Sequence, residues 1–436
     1  MASTKLLRAQ GTPTNNKIFT ISCWFKAAQV ANEMKLIYAD DNSTNNYTYI
    51  HFSDTSGRIR FQNRNSSSNN TELIWENYIR DFSAYYHLVM AVDSTQSTES
   101  DRVKFYLNGV QQTTLDSSAN TFPPLNQSFT LNSSGYDVEI GASNSSSYFN
   151  GLMSYFAFVD GTAYDASYFG ETNAATGIWT IKTSPSVTYG TNGFFLKMDT
   201  SSPGSDTSGN NNTFTASGTP TLAQDNASNN LVTMNPLCNV AGRWTITNGN
   251  NTIQHANGGA WTAMISSIAS SVGKYYMETK ITAGASRVMF GVMSADTNIM
   301  SYETNLDSIC LYYNLSGGEF QQSGGTTSGN NYGTFADNDI AGIALDCTNN
   351  KISIYKNGTA LVTDHTIPTT VTGPIGFGFT SDSNSTIYQC NYGNGFFGTT
   401  AVASSNADAA GHGLFEYAVP TGYYTLNTKN LNTYGG

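Results

Sequence analysis

The chain has 436 residues, a formal net charge of −11 and only 12% charged residues, against about 25% in an ordinary globular protein. That length suits two or three domains with sizeable cores, and the acidic balance argues against nucleic acid or an anionic membrane as partner, since both need basic patches. No run approaches the ~18 apolar residues of a membrane-crossing helix, and the start, Met1-Ala2-Ser3-Thr4-Lys5-Leu6-Leu7-Arg8, lacks the apolar centre of a secretory signal.

Between residues 17 and about 159 short strands alternate with polar turns. Residues 18–25, 36–38, 47–52 and 58–61 alternate, as strands that bury one face do. Residues 88–93 end Ala91-Val92-Asp93, and a polar loop leads to 103–107, where Val103, Phe105 and Leu107 share one parity. Asn108-Gly109 then supplies the positive φ angles of a tight hairpin turn. Residues 138–141 and 151–159 complete a pattern of turn signals every 8–12 residues or so, which predicts a β-sandwich over 1–165.

Residues 166–237 have a different texture. A short helical turn over 161–170 leads to a strand near 193–199 and then a Ser/Gly/Asn/Thr-rich stretch from 200 to 230. Trp179, Phe194, Phe195 and Leu196 need burial, so this connector is expected to pack along the first sandwich. A second sandwich is predicted over 238–395, with strands at 274–281, 288–292, 309–313, 374–379 and 387–393. It repeats the earlier device: Ala344-Leu345-Asp346, a loop, an alternating strand with Ile352 and Ile354 on one parity, and Asn357-Gly358. Two copies so far apart predict an all-β chain of two tandem sandwiches rather than a solenoid. The tail, 396–436, is expected to fold against a neighbouring subunit or domain.

The chemistry-bearing residues are sparse. Cys23, Cys238, Cys310, Cys347 and Cys390 show no metal spacing, and their odd number argues against a disulfide framework. The five histidines are scattered, and His87 reads as structural. A glycosidase needs two carboxylates flanking the bond it breaks, and Asp137-Val138-Glu139 offers a same-face pair without a third acid. It is expected to be a solvated strand face, so no catalytic residue is assigned. Trp24, Trp179 and Trp244 fit core positions, whereas Trp75, Tyr78, Tyr136 and Tyr148 lie near polar loops and are the candidate ligand-binding residues. Loops 40–47, 62–72, 143–149, 294–306 and 316–334 are the expected binding loops.

Residues 19–26, Tyr86-His87-Leu88-Val89 and 103–109 resemble a laminin-G-like, concanavalin A-like jelly roll. Gly273-Lys274-Tyr275-Tyr276-Met277-Glu278, 340–358 and Asn391-Tyr392-Gly393 resemble a SPRY domain. The junction at 167–172, 175–179 and 189–194 is similar to one in tail-fibre and virion proteins of bacteriophages, where a laminin-G-like domain precedes a SPRY-like one. The resemblance implies two concanavalin-type jelly rolls in a phage virion protein of the tail fibre or tail tip. It implies an adhesin for host-surface glycan or protein, with capsid decoration or another structural role as the alternative and a glycan depolymerase third. Other virion proteins are the implied partners, with a homo-oligomer, a trimer foremost, and assembly in the host cytoplasm. Laminin-G-like folds sometimes carry calcium, but Asp40-Asp41-Asn42, Asp93 and Asp346 read as turn residues, so no metal or other cofactor is expected.

Overall fold

The computed structural model describes residues 4–30, 33–41, 45–66, 68–198, 202–239, 242–256, 258–296, 309–314, 317–322, 326–327 and 330–435. The chain divides into two packed units, Met1–Leu222 with Asn226–Ser228, and Ala223–Asp225 with Asn229–Gly436. Each is built on one larger and one six-stranded β-sheet. The one α-helix among the described residues is Thr428–Tyr434.

In the first unit an eight-stranded sheet runs in the order Leu115–Thr121, Ser68–Trp75, Ile59–Asn65, Tyr47–Phe52, Lys35–Asp40, Asp137–Ile140, Lys5–Ala9, Thr215–Ser217. A six-stranded sheet, Phe194–Leu196, Gly151–Asp160, Ile18–Ala27, Tyr86–Asp93, Val103–Leu107, Val110–Gln112, forms the other layer. Alternation explains the core: Phe19, Ile21, Cys23 and Phe25 from one sheet join Ile37, Ile50, Phe61, Leu73 and Val138 from the other. The opposite face of Ile18–Ala27 is buried too. Its Trp24 packs with Val89, Tyr155, Phe169 and Phe195, and Trp179 and Tyr189 close over the same cluster. Segment 160–198 therefore covers the outer side of the smaller sheet.

Asp160 ties that segment to the N-terminal strands. Its carboxylate, 2% exposed, accepts from the backbone N–H groups of Thr14 (2.6 Å), Asn15 (3.0 Å) and Asn192 (3.0 Å), and from the Asn132 amide (2.7 Å).

The second unit repeats the plan. Its larger sheet runs Trp244–Thr247, Thr252–His255, Ile387–Asn391, Lys274–Ala283, Ile340–Asp346, Lys351–Lys356, Thr359–Thr366, with Tyr424–Thr425 paired beside Lys274–Ala283. Thr262–Ile265, Ile375–Ser381, Val288–Ser294, Ile309–Tyr313, Glu319–Gln322 and Thr326–Thr327 form the six-stranded partner. Tyr275, Met277, Ile343, Ile352, Ile354, Phe377 and Phe379 fill the space between them. The tail, expected to fold against a neighbouring subunit or domain, packs on the sandwich that precedes it in the chain. Phe415 and Tyr423 join Tyr276 and Ala344 in one buried cluster, because the outer face of the larger sheet carries large side chains that need cover.

The two Asn-Gly turns share their geometry. Asn108 and Gly109 have φ of 49° and 83°, Asn357 and Gly358 47° and 79°, the pair of positive angles that a two-residue hairpin needs. In each turn the Asn side chain accepts an N–H at the start of the neighbouring strand: His87 N to Asn108 Oδ1, and Ile340 N to Asn357 Oδ1, both at 2.8 Å. An aromatic ring from later in the chain covers each glycine. A Cβ on Gly109 would stand 2.6 Å from the Trp179 ring, and one on Gly358 2.6 Å from the Tyr417 ring.

Candidate functional site

The outer face of the first unit's larger sheet carries a cluster of polar and aromatic side chains. Strand pairing sets Tyr38 opposite Tyr49, Tyr49 opposite Gln62, and Gln62 opposite Glu72. The next row sets Asp40 opposite Tyr47 and Tyr47 opposite Arg64. Because side chains alternate, Ile37, Ile50 and Phe61 of these strands fill the core while the polar set faces away.

Three tyrosines stack across the strands. Tyr47 and Tyr49 lie 5.1 Å apart at 11°, and Tyr38 and Tyr49 6.3 Å apart at 23°. Lys35 Nζ sits 4.3 Å from the Tyr49 ring centre, and the Arg64 guanidinium 5.9 Å from that of Tyr47. The hydroxyl of Tyr38 donates to Asp40 (2.9 Å), and that of Tyr49 to Gln62. Arg60 pairs with Glu72, and Lys5 with Glu139 at 2.6 Å. Asn144 bridges two of the acids, its backbone N–H on Glu139 (3.0 Å) and its amide on Asp40 (2.8 Å). Tyr38 and Tyr49 are buried, whereas Tyr47, Arg60, Arg64 and Glu72 are half-buried and Asn144 is exposed.

Burial governs the electrostatics. The Lys35 ammonium is pushed down to about 8 by burial and by Arg60, against the pull of Glu33. Burial, Lys35 and Arg60 push His51 down to about 2, so its imidazole is neutral and Nδ1 accepts from Lys35 Nζ at 3.1 Å. Burial, with Asp40 beside it, holds the Tyr38 hydroxyl protonated far above its usual range. This face offers the half-buried Tyr47 ring at one end of the stack, the half-buried Arg60, Arg64 and Glu72, and the exposed Asn144. That inventory suits stacking and hydrogen bonding to a polyhydroxylated ligand better than proton transfer.

The expected site residues fall elsewhere. Trp75 does not face a loop: it is 3% exposed and packs 4.7 Å from Phe105 in the core, because its strand position has the inward parity of Leu73. Tyr78 is 39% exposed, donates to Glu76 (3.0 Å) and lies beneath the Arg80 guanidinium. Tyr136 and Tyr148 are half-buried at opposite ends of the Asp137–Ile140 segment. The reading of Asp137 and Glu139 as a solvated face fails at Glu139, which is 6% exposed and held by Lys5 and Asn144. His87 is structural: its ring stacks on Trp24 at 4.5 Å, accepts from Trp179 Nε1 (2.9 Å) and bonds Ser22 Oγ (2.8 Å).

Sequence reasoning passed over the Tyr38–Tyr49–Tyr47 stack. Its trace was present in the alternation of 47–52, where Tyr47, Tyr49 and His51 hold the outward parity. Of the expected loops, 143–149 contributes Asn144, 40–47 contributes Asp40 and Tyr47, and 62–72 contributes Gln62, Arg64 and Glu72, the last five from strands rather than loops. Residues 42–44, 67, 297–306, 316, 323–325 and 328–329 of these loops lie outside the described residues. Asp93 accepts from Thr95 and Gln96, and Asp346 from Asn349 and Lys274, so both serve their turns. Among the described residues no group of three or more His, Cys, Asp or Glu could hold a metal ion.

The second unit has a groove of about 420 Å³ between 284–286 and 334–337. Its polar groups are already engaged. The Asn314 amide bonds the carbonyls of Ala285 and Phe335 and the Phe335 N–H, while Asp337 accepts from Ala285 N.

Residues 3–166 match the family model of the concanavalin A-like lectin/glucanases superfamily. The match gives the fold of that segment, under a description that names lectins and glucanases alike. No curated protein matches the chain. Among solved structures, the chain is similar to the SPRY domain of human HERC1, at 17% identity and a TM-score of 0.29, covering 34% of this chain and 91% of that one. It is also similar to the TRIM65 PSpry domain (11%, TM-score 0.30, covering 37% and 88%). A third is the native heptameric SAP-like pentraxin from Limulus polyphemus (17%, TM-score 0.28, covering 37% and 71%). Likenesses at this level say nothing of function.

Proposed function

We propose that the protein is a non-enzymatic adhesin of a bacteriophage virion, placed in the tail fibre or tail tip and recognising host-surface glycan. The observation that carries the recognition half is the Tyr38–Tyr49–Tyr47 stack, framed by Arg60, Arg64, Glu72 and Asn144 on a rigid sheet. A sugar ring gains by laying its apolar face on an aromatic ring while its hydroxyls meet amides and charged groups at the rim. The virion half rests on the resemblance of the 167–194 junction, and it carries the expectation of other virion proteins as partners and of a homo-oligomer.

The non-enzymatic reading has its own support. Glu139 and Asp40 are saturated by Lys5, Tyr38 and Asn144, and neither faces an open bond-breaking position. The test is binding of the full chain to host cells and to a glycan array, alongside an assay for reducing ends released from host polysaccharide. Specific glycan binding without reducing-end release supports the proposal. Tight binding to capsid shells alone would favour decoration, and release of reducing ends would favour a depolymerase.

A further inference from the structure

The centre of the second unit's larger sheet holds a carboxylate with no cation. Glu278 lies on the outward face of Lys274–Ala283, is 0% exposed, and is not ion-paired to any described residue. Four donors converge on it. Tyr417 N (2.8 Å) and the Tyr276 hydroxyl (3.3 Å) reach Oε1, while Glu416 N (2.8 Å) and the Asn391 amide (3.3 Å) reach Oε2. Two of the four are backbone groups of the C-terminal tail, so this one side chain clips the tail to the sheet. Phe415, fully buried, packs 5.2 Å from the Tyr276 ring, and Tyr417 covers Gly358.

We propose that residues 402–425 form a proton-dependent strap, sealed over the outer face of this sheet when Glu278 carries a proton and loosened when it does not. The shell around Glu278 accommodates the proton by reversing one contact. The Tyr276 hydroxyl gives up its donation and accepts the new O–H, Tyr417 N–H keeps a lone pair on the same oxygen, and Oε2 keeps both of its donors. The ionised form has the same donors but leaves an uncompensated charge buried against Tyr276 and Phe415, which is costly. The titratable groups around it do not offset that charge. Tyr276 and Lys280 share its strand face, Tyr355 lies across the sheet beside Tyr276, and Glu416 and Tyr417 come from the strap.

Burial accordingly pushes Glu278 up to about 7, despite the opposing hydrogen bonds from Tyr417, Glu416, Tyr276 and Asn391. An opened strap exposes the carboxyl to water and returns it toward its ordinary 4.5. Between pH 4.5 and 7 the open form loses its proton well before the closed one, so opening becomes about 80-fold more favourable across that window and levels off above about pH 8.

Hydrogen exchange of the full chain, corrected for the intrinsic pH dependence of exchange, reads this at the amides of Glu416 and Tyr417. Their protection should fall about 80-fold from pH 4.5 to 7, while amides of the core strand Ile340–Asp346 hold theirs. Glu278→Gln, which cannot ionise, should flatten the profile. Protection that is constant or rises with pH, a fall that persists in Glu278→Gln, or an equal fall at the core amides would each overturn the proposal. The wild-type comparison of strap and core amides decides it even if the variant fails to fold.

Discussion

Replacing Gly109 by alanine probes how the first sandwich is closed. The glycine has φ of +83°, in the left-handed region where a Cβ costs about 1–2 kcal/mol. That Cβ would also stand 2.6 Å from the Trp179 ring, well inside the ~3.5–4.0 Å of a normal carbon contact. The turn cannot yield easily, because Asn108 N and Oδ1 are both bonded to the His87 backbone at 2.8 Å. The ring must therefore move. It then forfeits its hydrogen bond to His87 Nδ1 (2.9 Å), about 0.5–1.5 kcal/mol, and part of its burial against Gly170 and the cluster around Trp24, about 1–2 kcal/mol. The expected cost is about 3–5 kcal/mol, read by urea unfolding of the full chain followed through aromatic circular dichroism. In a Trp179→Ala background the same change should cost only the backbone strain, about 1–2 kcal/mol, a coupling of roughly 2–3 kcal/mol. A single-mutant cost below about 1 kcal/mol, or equal costs in both backgrounds, would refute the reasoning.

Acid stability should report on His87, which burial pushes down to about 3. The unfolded chain protonates it near 6.5, so the folded state binds fewer protons: stability is full above pH 6.5 and falls as pH drops toward 3. The loss is on the order of 5 kcal/mol, and an acid titration of His87→Gln should show a shallower decline. Asp160→Asn places an amide N–H₂ against donors that now point at a carboxylate. It should lower the first unit's stability by about 2–4 kcal/mol in the same urea assay, and an effect under 1 kcal/mol would show that the Asp160 contacts do not hold the N-terminal strands.

The alternation of 18–25, 47–52 and 103–107 made the sandwich legible, since a period of two assigns Phe19, Ile50 and Phe105 to the core without knowledge of their partners. The Asn-Gly pairs marked both hairpins for a similar reason: the positive φ angles are a local demand. Glu139 was illegible because its burial depends on Lys5, 134 residues away, and on Asn144 from a turn. Trp75 was misplaced because the polar loop beside it suggested exposure, whereas strand parity decides. The Tyr38–Tyr49 pair needed the strand register, which residue pattern alone does not set. The tail's docking rests on Glu278, a charged residue in a strand whose outward parity predicts solvent.

Glycan binding by the wild-type chain and by Tyr47→Ala and Arg64→Ala, each checked for an unchanged fold, tests the central claim most directly. Tyr47 and Arg64 are the half-buried end of the stack, so the account predicts specific binding to host glycan in the wild type. Each variant should bind about 10-fold more weakly, the loss of one stacking contact of about 1–1.5 kcal/mol. Host-glycan binding of undiminished strength in both variants would contradict it.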